Sequence, residues 1–434
     1  MGRAWVRRAA GAALLVLLAG GAAEAQRYQV QIQKEVFKRI PLAIAGFAPL
    51  PDAAAGPDPA TLARTVLAAD LDFTGLFEVI DPTFLPVEIR QLKPGDQAQV
   101  LPMLALFKVQ GLLLAAVERR GTELALEGHL YDVERGTVIG ARRYTGEVTT
   151  VRQIAHRLAD EIVFRYTGER GIGETRIAYV AAQDGVRELY AMDYDGHNPV
   201  LLTGNRSINL SPRWSPDGRL LAYTSYRDGN PDLFLLNLLT GARTKLSALP
   251  GLNISPAWSP DGEWVAYALS KDGGTNIHLM RKDGSGLRAL TNGPNISVSP
   301  TFSPTGRQIA FTSNRGGSPQ IYAVDVEGTN LRRLTFQGDY NSSPRWSPRG
   351  DKIAFASNMT GRFQITLVNP EGSEVQILTS EGSNEDPAWS RDGRHLVFTS
   401  TRTGRREIFV MRADGSAPRQ LTRTGGNFAP DWSP

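Results

Sequence analysis

One hexapeptide returns along this chain at a nearly constant step: Arg213-Trp-Ser-Pro-Asp-Gly218, Ala257-Trp-Ser-Pro-Asp-Gly262, Thr301-Phe-Ser-Pro-Thr-Gly306, Arg345-Trp-Ser-Pro-Arg-Gly350 and Ala388-Trp-Ser-Arg-Asp-Gly393. A shortened copy, Asp431-Trp-Ser-Pro434, follows them. The aromatic residues Trp214, Trp258, Phe302, Trp346, Trp389 and Trp432 stand 44, 44, 44, 43 and 43 positions apart. A strand-rich period of roughly 40–50 residues is the mark of a β-propeller, with one four-stranded blade per repeat. Two positions ahead of each aromatic lies a proline (Pro212, Pro256, Pro300, Pro344, Pro387, Pro430), tolerated at a strand's start because it lacks an amide donor. Ser-Pro-Asp-Gly then turns the chain, with Pro presetting φ and Gly accepting the positive φ that closes the turn. Second strands such as Leu221-Ala-Tyr-Thr-Ser225 and third strands such as Asp232-Leu-Phe-Leu-Leu236 follow, and a fourth, ending near Leu-Thr, completes each unit.

Counting strands predicts how the ring closes. Ile177-Ala-Tyr-Val180 matches the second-strand set, yet no aromatic-Ser-Pro segment precedes it. Ala429 to Pro434 is a first strand with no second strand after it. The expected solution is six blades, with the C-terminal strand completing the first and Trp432 as its anchor. The tryptophans are accordingly read as blade-to-blade core.

At the other end, Arg3, Arg7 and Arg8 precede an apolar run from Ala9 to Ala19 and the small-residue pattern Ala23-Glu-Ala25. That is the pattern of a secretory signal, too short to span a bilayer stably. Cleavage near Ala25 is expected, with a soluble periplasmic product. The chain has no cysteine, so core burial alone must hold an exported fold together. Much of the formal +4 charge resides in the signal, which argues against nucleic acid as a partner.

Gln26 to Gln33 alternates Tyr28, Val30 and Ile32 with glutamines, the period of a half-buried strand. It reads either as an edge strand or as an arm (26–39) that pairs with another protein's sheet edge. Residues 40–167 change texture to a small mixed α/β domain. Expected there are a strand at Ile40–Phe47, a helix from Asp58-Pro59 to Asp72, a strand at Leu76–Ile80, a helix at Asp96–Val109, an antiparallel meander between Gly111 and Thr145, and a helix at Val151–Tyr166. Gly-rich residues 168–175 form the expected hinge to a propeller at 176–434.

Catalytic signals are sparse. The five histidines (His129, His156, His197, His278, His395) lack ligand spacing, and no Gly-x-Ser-x-Gly elbow is present. Asp193-Tyr-Asp195-Gly196 coincides with a third-to-fourth-strand turn rather than a calcium loop. No cofactor, metal or catalytic residue is expected. The binding signal is stronger. Five positions before each aromatic stand Asn209, Asn253, Ser297, Asn341, Asn384 and Asn427, and thirteen after stand Arg227, Lys271, Arg315 and Arg402. These positions place amides and basic side chains at one end of the propeller. Two readings stay open: loop caps that bond their own backbone, or an amide-lined funnel for a partner's inserted segment. A secreted peptidase or glycan hydrolase, and a glycan-binding module using Tyr226 and Tyr340, are the alternatives from other classes.

A cleavable signal, a mixed α/β domain and six Trp-Ser-Pro-Asp-Gly repeats with a closing strand resemble the TolB family, periplasmic propellers of the Tol-Pal envelope system. Arg176-Ile-Ala-Tyr-Val180 and Asp193-Tyr-Asp-Gly196 share that likeness. The resemblance implies a non-catalytic adaptor, expected to be monomeric, that supports outer-membrane integrity and constriction at division. It implies binding of the peptidoglycan-associated lipoprotein Pal at Leu252–Ser255 and Asn295–Ser299, including Ser255 and Val298. It implies TolA binding through the arm, and colicin-type bacteriocins in the same funnel. The glutamine-rich arm, followed by Lys34, Lys38 and Arg39, departs from the family pattern.

Overall fold

The computed structural model describes residues 38–434 apart from 49, 51–57, 86–88, 90, 91, 93–99, 272 and 360. The expected signal and the arm with Tyr28, Val30 and Ile32 lie outside the described residues, as does the first part of the helix expected at Asp96–Val109, of which Leu101–Leu106 is helical.

The amino-terminal region is a five-stranded mixed sheet in the order β2-β1-β3-β4-β5. Strand β1 (Ile40–Gly46) lies parallel to both β2 (Phe77–Ile80) and β3 (Gly111–Arg120). Strands β3, β4 (Glu123–Asp132) and β5 (Thr137–Glu147) form the antiparallel meander. Two helices, Pro59–Phe73 and Val151–Thr167, pack on one face. The first is capped by Asp58, whose carboxylate accepts the Thr61 amide at 2.9 Å, with Pro59 at its first position.

Six four-stranded antiparallel sheets follow. We number them in ring order as blades one to six and letter their strands A to D from the channel outward. Strands B and C are buried along nearly their whole length, for example Ile309-Ala-Phe-Thr-Ser313. The turn glycines Gly218, Gly262, Gly306, Gly350 and Gly393 take φ values of 65–80°, as the turn chemistry requires.

Blade one has the strand order closing strand (Asn427–Trp432), β6 (Arg176–Gln183), β7 (Val186–Asp193), β8 (Val200–Leu201). Trp432 pairs with Ile177 and Asn427 with Ala181. Trp432 is 5 % exposed, packs on Ile177, Met192, Val397 and Ile408, and donates its indole N–H to Thr175 Oγ1 at 2.7 Å. The Arg176 amide donates to Ser433 Oγ at 2.9 Å, and the Ser433 amide returns a bond to the Arg176 carbonyl at 2.8 Å. Elsewhere the indoles stitch blade to blade: Trp214 donates to the Asp431 carbonyl, Trp258 to that of Arg213 and Trp389 to that of Arg345, at 3.2, 3.2 and 2.9 Å.

The segment expected to hinge is tied down instead. Asp160 accepts the Gly173 and Glu174 amides at 2.8 and 3.3 Å, and Ile172 is buried among the residues of blades one and six. Arg391 stands where the other copies carry proline. Its Nε donates to the Gly171 carbonyl at 2.8 Å, and its guanidinium lies 3.7 Å from Asp160.

Truncating a buried tryptophan of this kind costs about 3–5 kcal/mol. Trp432→Ala is therefore expected to lower urea-unfolding stability by that amount, whereas Trp264→Ala, half-buried on an outer face, should cost less. Equal losses at the two sites would remove the special role of the closing strand.

Candidate functional site

A propeller offers two channel mouths. At one end lie the A–B and C–D turns; at the other lie the B–C loops and the D–A loops that carry the chain into the next blade. Bonds from the amino-terminal region gather on the turn end. His395 Nε2 meets the Phe73 carbonyl at 2.9 Å and Arg412 Nε donates to the same carbonyl at 3.1 Å. Arg349 and Arg394 reach Glu169 at 3.1 and 2.8 Å.

A second buried polar group of this contact, beside His395, is His156, 2 % exposed. Its Nδ1 lies 2.6 Å from Asp70 and its Nε2 3.5 Å from Asp195 of blade one, which also pairs with Arg152. The Tyr194 hydroxyl donates to Asp70. Burial pushes the His156 pKa down, but the hydrogen bond and charge of Asp70 outweigh it and hold it above the ordinary imidazole value. Read alone, Asp-His-Asp suggests acid–base chemistry. Here two carboxylates occupy the ring and the side chain is sealed between domains, so the group acts as a strut. Sequence spacing hides it, since Asp70, His156 and Asp195 are distant along the chain. Among the described residues no group of three or more His, Cys, Asp or Glu could hold a metal ion.

A cavity of about 380 Å³ opens at the turn mouth, lined by the Ser-Pro collars and the repeat aromatics. Its floor is an ion cluster at the channel's waist, where Asp431 of the closing strand lies 3.8 Å from Arg213 and 3.7 Å from Arg345. The Asp431 carboxylate also accepts the Trp214 amide at 2.9 Å. Burial pushes its pKa up to about 6, against the pull of the Arg213 charge.

The loop mouth is where the sequence placed its binding residues, and their positions correct that expectation. Asn209, Asn253, Ser297, Asn384 and Asn427 each open an A strand, Asn341 follows Tyr340 at the start of its own, and all six are 0–2 % exposed. Their amides do not line the channel. They point into the seam between blades, because a buried amide must find partners there. Asn341 Nδ2 donates to Gln320 Oε1 and to the Gln337 carbonyl, both at 2.7 Å. Asn209 reaches Glu188 at 3.0 Å; Asn384 meets Gln364, and Asn427 meets Glu407, both at 2.9 Å. Each of these acceptors also takes the hydroxyl of the threonine that ends strand D (Thr203, Thr335, Thr379, Thr422). That clamp explains the recurring Leu-Thr.

The basic residues are likewise more structural than expected. Arg315 folds back over Phe311 and Tyr322, with Nη2 3.3 Å from Ser297 Oγ, and so fills the seam in the one blade that lacks Asn. Arg402 lies over Phe398 and Phe409 and donates to Asn384 Oδ1 at 3.3 Å. Arg227 covers Phe234 and lies 3.5 Å from Asp228. Lys271 is exposed on its loop.

The residues that do line this mouth are the second and third of each A strand. Ser255 and Val298 are among them, half-buried. The third residue in every blade, Ser211, Ser255, Ser299, Ser343, Asp386 and Ala429, takes φ of 50–56°, and each inner pairing shifts register there. Left-handed backbone costs a residue with Cβ roughly 1–2 kcal/mol, and such bulges re-aim side chains next to functional sites. Family resemblance points to Ser255, Val298 and Ser299, but the bulges themselves are not anticipated from the sequence; the proline that follows each was the available signal. On the rim, Leu252, Ile296, Phe336 and Tyr340 are exposed before blades three to five.

Two outcomes follow from this geometry. Asn341→Ala strands a buried carboxamide partner and should cost about 1–3 kcal/mol in urea unfolding. Asp431, with a pKa raised above the unfolded value near 4, contributes most below pH 4 and loses that contribution as pH rises through about 6. The stability of Asp431→Asn relative to the parent should therefore rise between pH 4 and pH 7 by on the order of 1–3 kcal/mol; a flat difference would contradict the buried-acid account.

Comparisons with known proteins agree with this architecture. Residues 163–434 match the family described as the TolB β-propeller domain, and residues 28–139 the TolB amino-terminal domain. The chain is 38 % identical over 224 residues to the Tol-Pal system protein TolB of Anaeromyxobacter sp. (strain K), covering 49 % of each. It is 41 % identical over 169 residues to that of Geobacter sulfurreducens, covering 38 % of each. The alignment to the first of these relatives spans about half of its length. The crystal structure of TolB from Acinetobacter baumannii superposes with a TM-score of 0.79 at 27 % identity, covering 91 % of this chain and 97 % of that one. With both domain families matched and the six-bladed ring closed by its last strand, the chain belongs to the TolB family.

Proposed function

We propose that this protein is a non-catalytic periplasmic adaptor of the Tol-Pal envelope system. Its loop mouth binds the peptidoglycan-associated lipoprotein Pal, and its amino-terminal arm, through Tyr28, Val30 and Ile32, engages TolA. The observation that carries this reading is the loop mouth itself. Described bonds from the amino-terminal region fall on the opposite end, and six strained bulges turn half-buried side chains into the opening. Leu252 and Ile296, 37 % and 52 % exposed, add apolar area at its rim, within the segments where family resemblance implies the lipoprotein contact. Colicin-type bacteriocins would use the same opening.

An adaptor with two sites can couple them only if one ligand binds two states of the protein unequally. Lipoprotein at the mouth would bias the arm between its own protein and TolA, linking outer-membrane tethering to the inner-membrane motor during constriction.

Leu252→Asp combined with Val298→Asp should weaken binding of the soluble lipoprotein at least tenfold in titration calorimetry, with the thermal midpoint within a few degrees of the parent. Deleting residues 26–33 should abolish TolA capture and leave lipoprotein binding intact. Unchanged lipoprotein affinity in the double variant would refute the site.

A further inference from the structure

The rim of the loop mouth is not uniform, and its chemistry names the segment it accepts. The residue just before the inward clamp group of strand C is Pro231, Thr275, Pro319 and Phe363 in blades two to five, but Arg187 and Arg406 in blades one and six. Both form an Arg-Glu dipeptide. Glu188 and Glu407 face inward and are saturated: Glu188 takes Thr203, Asn209 and the Arg206 amide, and Glu407 takes Thr422, Asn427 and the Gly425 amide. Neither carboxylate is left to neutralise the arginine beside it.

The two guanidiniums converge on one ring. Arg187 lies 5.8 Å and Arg406 5.6 Å from the centroid of Phe428, the half-buried second residue of the closing strand. Among the described residues neither has an ion-pair partner within 4.0 Å. Glu385 and Asp386 both feel the Arg406 charge. Burial raises both of their pKa values and the Arg406 charge opposes it, so they soften its field without pairing to it. Blades three and four, across the ring from six and one, carry Leu252 and Ile296, with Tyr340 exposed beside them. One side of the mouth sets two guanidiniums over a single aromatic ring; the facing side carries Leu252 and Ile296, with Lys271 exposed on its loop and Arg315 folded back over Phe311 and Tyr322.

Resting on the binding reading above, we propose that the loop mouth recognises an acidic segment: Arg187 and Arg406 together seat a carboxylate of the inserted chain over Phe428, while apolar side chains beside it settle against Leu252, Ile296 and Tyr340. Guanidinium groups suit this role because their forked donors match a carboxylate and their planes lie on aromatic rings without loss of charge. Two guanidiniums over one ring give that side the stronger pull on a carboxylate and so favour one direction of entry.

The test is calorimetric titration of the full chain with the soluble domain of the lipoprotein from the same organism, at 50 and 300 mM NaCl. Arg187→Gln with Arg406→Gln is expected to weaken binding at least tenfold at low salt and to flatten the salt dependence, without moving the thermal midpoint. Arg187→Lys with Arg406→Lys should keep the salt dependence and recover part of the affinity. Ile296→Asp should weaken binding and leave the salt dependence in place. A Gln double variant that binds within twofold of the parent, while Ile296→Asp fails, overturns the carboxylate seat and leaves the binding site standing. A parent protein that does not bind the lipoprotein overturns both.

Discussion

Everything in the larger part of this molecule depends on one strand pairing. Blades arranged radially cannot be ordered independently, because each A strand packs against the next and the circle must meet itself. The closing strand, Asn427–Trp432, supplies that meeting by zipping onto β6. Joining ends some 250 residues apart costs on the order of 5 kcal/mol in chain entropy. Trp432 in its pocket, reciprocal bonds between Arg176 and Ser433, and the indole bond to Thr175 together offset it.

Closure also fixes where the amino-terminal region can sit. Thr175 and Ile172 lie at the end of the connecting segment, directly beneath Trp432, so the segment that starts the ring is clamped by the strand that ends it. Asp160, Arg391 and the buried His156 group extend that clamp. The turn face of blades five, six and one is consequently occupied by internal contacts. Replacement of the repeat proline by Arg391 makes sense in this light: the connecting segment passes its A–B turn closely enough for the guanidinium to bond the Gly171 carbonyl.

Much of this was legible in the linear chain, because the forces involved are local and periodic. The Pro-x-aromatic-Ser-Pro-Asp-Gly period encodes strand, turn and seam in one unit, so six blades and the closing strand could be counted before any coordinates. The site was less legible for a physical reason. Asn at a fixed position looks the same whether it faces a partner or a seam, and only burial distinguishes the two. Gln320, Gln364 and Glu407, the groups that turn those amides inward, sit about twenty residues upstream with no signature of their own. The Asp70–His156–Asp195 contact was invisible because it joins three elements that meet only after both domains have folded. Arg187 and Arg406 carry no periodic signal, because they depart from the repeat where the other blades hold Pro231, Thr275, Pro319 and Phe363.

The ion cluster at the waist has a bearing on quality control. Asp431, which balances Arg213 and Arg345, is carried by the last strand to arrive. Until that strand docks, Arg213 and Arg345 face the bore with Asp386 as an acid acting on Arg213 and without the contribution of Asp431. A ring without its closing strand therefore lacks more than a strand: it also lacks the acid that lies between Arg213 and Arg345. Balancing charge at the waist of the ring and fastening its circumference are accomplished by one and the same six-residue segment.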